Sequence, residues 1–242
     1  MHISPIPLRR RTKTIFRIKD RVEIVSTETI QRLGRLSVPA IGDALGRFGC
    51  VHSSIKPLSD AMRLSGPALT VQTYRADNLM CHVALEMAHP GDVLVVDACG
   101  FRDTGLWGAL MAAMAKKKSL GGLVMDGGVR DKLEIIAMDF PVFSAGISPM
   151  GGFKDSPGSV NVPIACGGVS VSPGDIVVGD ADGVVVVPAA MADLIAESAE
   201  AVVHKESLLL QKIHDGESLF DLLELPPVAE RLNLSSFKRY KA

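Results

Sequence analysis

The chain is poor in aromatic residues and has no long uninterrupted apolar segment. Of its 242 residues, 47% are hydrophobic but only 5% are aromatic, so Val, Ile, Leu, Ala and Met must build the core. No stretch reaches the roughly 18 apolar residues of a membrane-spanning helix, and we therefore predict none. The formal net charge of −1 gives no overall field for nucleic acid or an anionic membrane, and we expect neither as a partner.

Cysteine is also scarce. The four cysteines lie far apart in apolar surroundings and form no CxxC pair: Cys50, Cys81, Cys99 and Cys166. This spacing argues against a zinc site or a disulfide framework. It predicts buried free thiols in a protein of the reducing cytoplasm.

Charge is unevenly distributed at the N-terminus. Residues 9–21 contain seven basic residues and one acidic residue, Asp20; the basic ones are Arg9, Arg10, Arg11, Lys13, Arg17, Lys19 and Arg21. Such an arm could bind RNA or act as a transit peptide, but no apolar h-region follows it, so it is not a secretory signal. We interpret residues 1–26 as a solvated or subunit-wrapping arm, residues 27–214 as the folded domain and residues 215–242 as a tail.

Several common nucleotide and nucleophile motifs are absent. No GxGxxG opens a helix after a strand, and neither GxxxxGK[ST] nor GxSxG occurs. This argues against NAD, S-adenosylmethionine or P-loop nucleotide binding and against a nucleophile elbow. The three consecutive lysines Lys116–Lys118 lie at a predicted helix end, where they look solvated rather than catalytic.

Helical and strand patterns alternate along the domain, which predicts an α/β fold with βαβ units. We predict helices over 27–36, 79–88, 106–118 and 189–213, a short second helix within 37–46, and strands over 68–73, 93–97, 122–126 and 141–145. From Val160 the pattern changes to β-hairpins with Pro-Gly-Asp and Asp-Gly turns. Asp126-Gly127-Gly128 is interpreted as a turn, and the tail from Asp215 as irregular.

Arg130 and Asp131 follow the strand that we predict over 122–126. An Arg guanidinium offers a planar fork to a carboxylate, and an Asp offers hard oxygen to a divalent cation. Strand ends are where open α/β sheets bind ligands. Side by side, the two residues could hold a metal and an anionic substrate together, although a surface ion pair of this kind is also common.

His82 is a second candidate, placed four residues before Glu86 on a predicted helix. It could be a base or a ligand. A single histidine on a helix is more often a structural or hydrogen-bonding residue, so the sequence leaves both interpretations open.

The chain from about residue 30 to 220 resembles the family that joins the regulator of ribonuclease E activity, RraA, to class II 4-hydroxy-4-methyl-2-oxoglutarate/4-carboxy-4-hydroxy-2-oxoadipate aldolases. The segments that carry the resemblance are 43–46 (DALG), 66–71 (GPALTV), 90–97 (PGDVLVVD), 126–131 (DGGVRD), 159–163 (SVNVP), 173–175 (PGD) and 179–188 (GDADGVVVVP). It implies an α/β/α sandwich related to phosphohistidine swivelling domains. It also implies a homotrimer or homohexamer with sites at subunit interfaces.

The resemblance also suggests roles for individual residues. Arg130, Asp131 and Glu134 match the aldolase pattern Asp-x20-Arg-Asp followed by an acidic residue, but Ala109 replaces its first Asp. In the aldolases that Asp helps to hold a catalytic water, so proton transfer should be impaired here. The backbone of Gly108, Ala109, Leu110 and Met111 aligns with the helix start that binds the pyruvyl group. Glu206 aligns with a glutamate that a neighbouring subunit contributes.

The function implied is a divalent-metal-dependent carbon–carbon lyase that acts on 2-oxo acids through a pyruvate enolate. Mg²⁺ or Mn²⁺ would lie on Asp131, and Arg130 would pair with the 2-oxo acid. Without the carboxylate at 109, oxaloacetate decarboxylation should survive better than aldol cleavage. The main alternative is a non-enzymatic regulator that binds a ribonuclease. A third, a methyltransferase of menaquinone synthesis, lacks any nucleotide-binding motif.

Overall fold

The computed structural model describes residues 16–20, 22 and 25–234. Its main sheet has eight strands, in the order β1-β5-β4-β3-β2-β9-β10, with β6 paired to β2. The strands of this sheet are β1 (Lys56–Pro57), β2 (Leu64–Gln72), β3 (Val93–Trp107), β4 (Gly122–Val129), β5 (Val142–Ile147), β6 (Ser159–Val160), β9 (Ile176–Asp180) and β10 (Gly183–Val187). A separate hairpin pairs β7 (Ile164–Cys166) with β8 (Val169–Val171).

Helices connect and cover these strands. They are α1 (Thr27–Arg35), α2 (Val38–Ala44), α3 (Leu79–Met87), α4 (Ala109–Lys117), α5 (Lys132–Ala137), α6 (Ala192–His214), α7 (Leu219–Leu222) and α8 (Pro226–Arg231), with a 3-10 turn at Ala189–Met191. None of the helices in the described ranges combines the length and the apolar character that crossing a lipid bilayer requires.

The centre of the molecule is the parallel block β2–β3–β4–β5. Its strands are almost continuously apolar because both faces of the block are buried, as in most parallel sheets. A second apolar cluster joins α1, α2 and α6 to β9 and β10. The predicted α/β class, the βαβ unit and the layered sandwich are confirmed.

Two predicted boundaries around the candidate site are wrong. The Gly-Gly pair 127–128 is not a turn: β4 continues through it to Val129 and pairs with the irregular outer half of β3. The glycines permit this because a Cβ at Gly128 would lie 2.5 Å from the Thr104 carbonyl oxygen. Since β3 likewise extends to Trp107, the following helix begins at Ala109 instead of 106.

Other expectations need smaller corrections. The tail contains the short helices α7 and α8 and is not wholly irregular. Only Cys81 and Cys166 are buried. Cys50, in the segment between α2 and β1, and Cys99, which has a left-handed backbone (φ 56°) in β3, are exposed. Part of the N-terminal arm joins the body: Ile18 forms a parallel bridge with Val160. The other basic residues of the arm, apart from Arg17 and Lys19, lie outside the described residues.

Candidate active site

A pocket of about 150 Å³ opens where β3 and β4 end and α4 begins. This is the edge of the parallel block at which the sequence places Arg130 and Asp131, and both residues line it. The other lining residues come from the end of β3, from α3 and the residue before it, from the start of α4 and from the segment after β5. They are Asn78, His82, Gly105, Leu106, Gly108, Leu110, Met111, Gly151, Gly152 and Lys154.

The backbone fixes the Arg130–Asp131 pair at the end of β4. The Arg130 N–H donates to the Trp107 carbonyl oxygen at 2.8 Å, which ties the end of β4 to β3. Asp131 then adopts a left-handed conformation (φ 58°, ψ 43°), which Asp tolerates better than most residues. This turn leaves Arg130 Nε 3.6 Å from Asp131 Oδ2, with both side chains partly exposed to the pocket.

The start of α4 is closely joined to Asp131. The Ala109 N–H donates to Asp131 Oδ2 at 2.9 Å, so this carboxylate caps the helix from another part of the chain. The N–H groups of Leu110 and Met111 precede the first intrahelical hydrogen bond, from Ala112 to Gly108. The predicted anion site at 108–111 thus faces the pocket, but the protein's own carboxylate takes one of its donors.

Gly108 is required by this close approach. A Cβ at this position would lie 2.5 Å from Asp131 Oδ2 and 3.1 Å from Arg130 Cγ. The backbone of Gly108 is extended (φ −142°, ψ −173°), so the constraint is steric and does not arise from its conformation.

Asn78 and Lys154 were not identified from the sequence, yet both line the pocket. Asn78 precedes α3, where an Asn would ordinarily be interpreted as a helix cap. Its side chain makes no capping bond; instead Nδ2 donates to the Leu106 carbonyl oxygen at 2.8 Å. Lys154 lies on a connection between β5 and β6 that carries no chemical motif, so no local signal could have found it.

His82 is half-buried on α3, and its Nε2 has no hydrogen-bond partner among the described residues. Burial lowers the pKa of the imidazole, and the positive charge of Lys154 lowers that pKa further. The neutral form therefore predominates at neutral pH, since the ordinary value is already about 6.5.

The remaining predicted residues lie outside this pocket. Glu134 is exposed on α5 and Glu206 is exposed on α6, and neither lines the cavity of a single chain. Within the described ranges, no group of three or more His, Cys, Asp or Glu side chains is arranged to hold a metal. Asp131 is thus the carboxylate that this chain offers at the pocket. One carboxylate completed by waters and substrate oxygens is a donor set that fits Mg²⁺.

Known proteins and one protein family resemble this chain in sequence. The sequence model of the RraA-like family, described as Aldolase/RraA, matches residues 38–186. A Halalkalibacterium halodurans protein named "Putative 4-hydroxy-4-methyl-2-oxoglutarate aldolase" is 39% identical over 171 residues, which cover 71% of this chain and 81% of that protein. An uncharacterized protein of Methanocaldococcus jannaschii is 34% identical over 210 residues, covering 86% of this chain and all of that protein.

A solved structure is similar as well. Streptomyces coelicolor RraAS2, described as an unusual member of the RNase ES inhibitor RraA protein family, superposes with a TM-score of 0.68 at 32% identity. The match covers 79% of this chain and 98% of that one. With the family model matching most of the domain and these relatives covering most of the chain, this protein belongs to the Aldolase/RraA family.

Proposed function

We propose that this protein is a divalent-metal-dependent carbon–carbon lyase that converts 2-oxo acids through a pyruvate enolate. Its reactions would be oxaloacetate decarboxylation, retro-aldol cleavage of substrates of the 4-hydroxy-4-methyl-2-oxoglutarate type, or both. The observation that carries the proposal is the convergence of Arg130, Asp131 and the start of α4 on one pocket. The similarity to a named aldolase supports it.

The residues of the pocket have complementary roles toward a 2-oxo acid. The Arg130 guanidinium would bind the carboxylate and the C2 oxygen, where negative charge develops as the enolate forms. The N–H groups of Leu110 and Met111 would orient the same carboxylate. Asp131, oriented by the Ala109 N–H, would hold Mg²⁺ or Mn²⁺, which when bound supplies Lewis-acid stabilisation of the C2 oxygen.

The alternative is a regulator that binds a ribonuclease, as the description of RraAS2 suggests for that protein. Surface binding gives no reason for an Arg and an Asp held 3.6 Å apart inside a pocket at a helix start. We therefore favour the enzyme over the regulator.

Oxaloacetate decarboxylation with added Mg²⁺ or Mn²⁺ is the direct test. We expect activity above a metal-only blank, loss of that activity in EDTA, and recovery when the cation is restored. Asp131→Asn should lower kcat/KM about 100-fold or more. Asn is preferred to Ala here because it tolerates the left-handed backbone and can still accept from Ala109. Full activity in EDTA after dialysis would contradict metal dependence.

Variants of Arg130 provide a second test, measured by decarboxylation and by aldol cleavage. Arg130→Ala should weaken decarboxylation and aldol cleavage alike, because both substrates present the same 2-oxo acid group. Arg130→Lys keeps the charge but loses the planar fork, so it should recover only part of the activity. A loss confined to one of the two reactions would argue against this role.

A further inference from the structure

The pocket contains a second polar surface, formed by Asn78 and His82, that the roles above do not use. Asn78 is only 7% exposed, and its Oδ1 is buried without a hydrogen-bond partner among the described residues. A buried amide oxygen left unpaired is destabilising, because it has given up its hydrogen bonds to water without replacing them. Native proteins contain few buried polar atoms without a hydrogen-bond partner, and an unpaired one often marks a site where a ligand or water binds.

Helix capping does not explain the unpaired oxygen. Asp77 takes the capping role, because its Oδ1 accepts the Leu79 N–H at 2.8 Å. The Asn78 side chain is held by its other end, where Nδ2 donates to Leu106. The orientation of the amide is therefore fixed, and none of the described residues donates a hydrogen bond to its oxygen.

His82 lies on the first turn of the same helix, and its backbone N–H donates to the backbone carbonyl oxygen of Asn78 at 3.2 Å. Its Nε2 is also buried and finds no hydrogen-bond partner in the part of the chain that the structure describes. The charged groups that line the pocket around it are Lys154, Arg130 and Asp131. Asn78 Oδ1 can only accept a hydrogen bond, and so can His82 Nε2 when the imidazole proton is on Nδ1. A ligand hydroxyl can share its single proton between these two acceptors in a three-centre hydrogen bond and can then give it up to the more basic imidazole nitrogen.

We propose that Asn78 and His82 bind the 4-hydroxyl of a 4-hydroxy-2-oxo acid and that His82 accepts its proton during retro-aldol cleavage. This inference rests on the proposed function. The hydroxyl proton passes to Nε2 as C4–O becomes a carbonyl and the C3–C4 bond breaks. The electron pair of that bond enters the C2–C3 enolate, whose oxygen lies at Arg130. The same proton, returned to C3, gives pyruvate.

A catalytic role for His82 changes the rate of aldol cleavage that we expect with Ala109 in place of the family Asp. The missing carboxylate alone predicts poor aldol cleavage, whereas a proton acceptor at His82 predicts that the wild type cleaves the aldol substrate well. With His82 in this role, Ala109→Asp should not raise aldol cleavage by more than about threefold, because the proton already has an acceptor. A rise of about 100-fold, the scale of a positioned general base, would assign the role to position 109 and overturn the proposal.

The kinetic test compares aldol cleavage with decarboxylation in His82→Ala and His82→Gln. We expect kcat for aldol cleavage to fall by about 10²–10⁴-fold. Oxaloacetate decarboxylation has no hydroxyl to deprotonate and shares only the protonation of C3, so its kcat should fall by a factor at least about tenfold smaller. Added imidazole should partly restore aldol cleavage in His82→Ala. The matched control is His52→Gln, since His52 is exposed and does not line the pocket. Equal losses in both reactions, or no loss in either, would overturn the proposal.

A binding measurement tests the hydroxyl site without turnover. The probes are 2,4-dihydroxyglutarate and 2-hydroxyglutarate, neither of which has the 2-oxo group that cleavage requires. Calorimetry should give about 3- to 10-fold tighter binding of the dihydroxy compound, the scale of one net hydrogen bond. Asn78→Leu and His82→Ala should abolish this preference. Equal binding, or no binding of either compound, would overturn the inference; a clear preference in a protein without lyase activity would instead refute the proposed function.

Discussion

At the scale of single residues, Asp131 joins the end of β4, where Arg130 lies, to the start of α4. Its left-handed backbone directs the carboxylate to the Ala109 N–H, and the same oxygen lies 3.6 Å from Arg130 Nε. One oxygen is thereby occupied by the protein, and the other is left for a cation or a water. The arrangement depends on the absence of a side chain at Gly108.

Gly108→Ala should therefore damage the site more than the fold. The extended backbone at this position suits alanine, but the added Cβ would displace Asp131 and Arg130. Misplacement of catalytic groups by about 1 Å can cost on the order of 10²-fold in rate, and we expect a loss of kcat/KM of that size. Oxaloacetate decarboxylation measures the loss, with the thermal unfolding midpoint as the control. Wild-type kinetics in a folded variant would show that this spacing is not critical.

At the scale of elements, Asp77 joins the start of α3 to the segment that carries Lys154. Its Oδ1 accepts the Leu79 N–H, and its Oδ2 accepts the N–H groups of Asp155 and Ser156. Burial alone would raise the pKa of Asp77, but these hydrogen bonds outweigh burial and hold that pKa below its ordinary value. One carboxylate thus sets the relative positions of two walls of the pocket.

Asp77→Asn should lower the free energy of unfolding by about 2 kcal/mol near pH 7, because the amide nitrogen that replaces one carboxylate oxygen cannot accept that oxygen's hydrogen bonds. A folded pKa below the unfolded value stabilises the protein above about pH 4, and that contribution is lost as the pH falls through the folded pKa. The difference between wild type and variant should accordingly shrink on acidification. Urea titrations at several pH values test this, with the exposed Asp60→Asn as the control. A stability difference between wild type and variant that is independent of pH would contradict this role of the Asp77 carboxylate.

At the scale of the whole molecule, large apolar side chains surround the pocket and remain exposed. Leu110 is 86% exposed, Leu133 76%, Phe153 67% and Met150 60%. The outer part of α6, which carries Glu206, likewise exposes Leu208 and Leu210. Large apolar side chains left exposed beside a binding pocket are typical of an interface, and we propose that neighbouring copies of the chain cover them.

Light scattering should therefore give a mass three or six times that of the 25.7 kDa chain. A stable monomer at micromolar concentration would contradict this assembly.

If Glu206 reaches a neighbour's site, two inactive variants should complement each other. Arg130→Ala and Glu206→Gln homo-oligomers should each be impaired. Mixed oligomers, formed by unfolding and refolding the two chains together, should regain activity at sites that combine an intact Arg130 with an intact Glu206. Each variant refolded alone is the control. No recovery in verified mixed oligomers would remove Glu206 from the shared site.

Local sequence patterns suffice to predict the α/β class, most of the element order and the placement of Arg130 and Asp131 at a strand end. Local apolar periodicity and turn residues carry that information, because they act over a few neighbouring positions. The Gly-Gly pair was misread for a related reason. Locally it indicates a turn, but the close approach of β3 keeps it within β4.

Which residues surround Arg130 and Asp131 depends on how distant parts of the chain pack together. Asn78, His82 and Lys154 lie 24 or more positions from Arg130 in the sequence, and they meet it only through the packing of α3 and the 148–158 segment around the pocket. The capping of α4 by Asp131 and the unpaired oxygen of Asn78 also have no sequence signature. Hydrogen-bond satisfaction depends on groups brought together by the whole fold, and no local pattern encodes it.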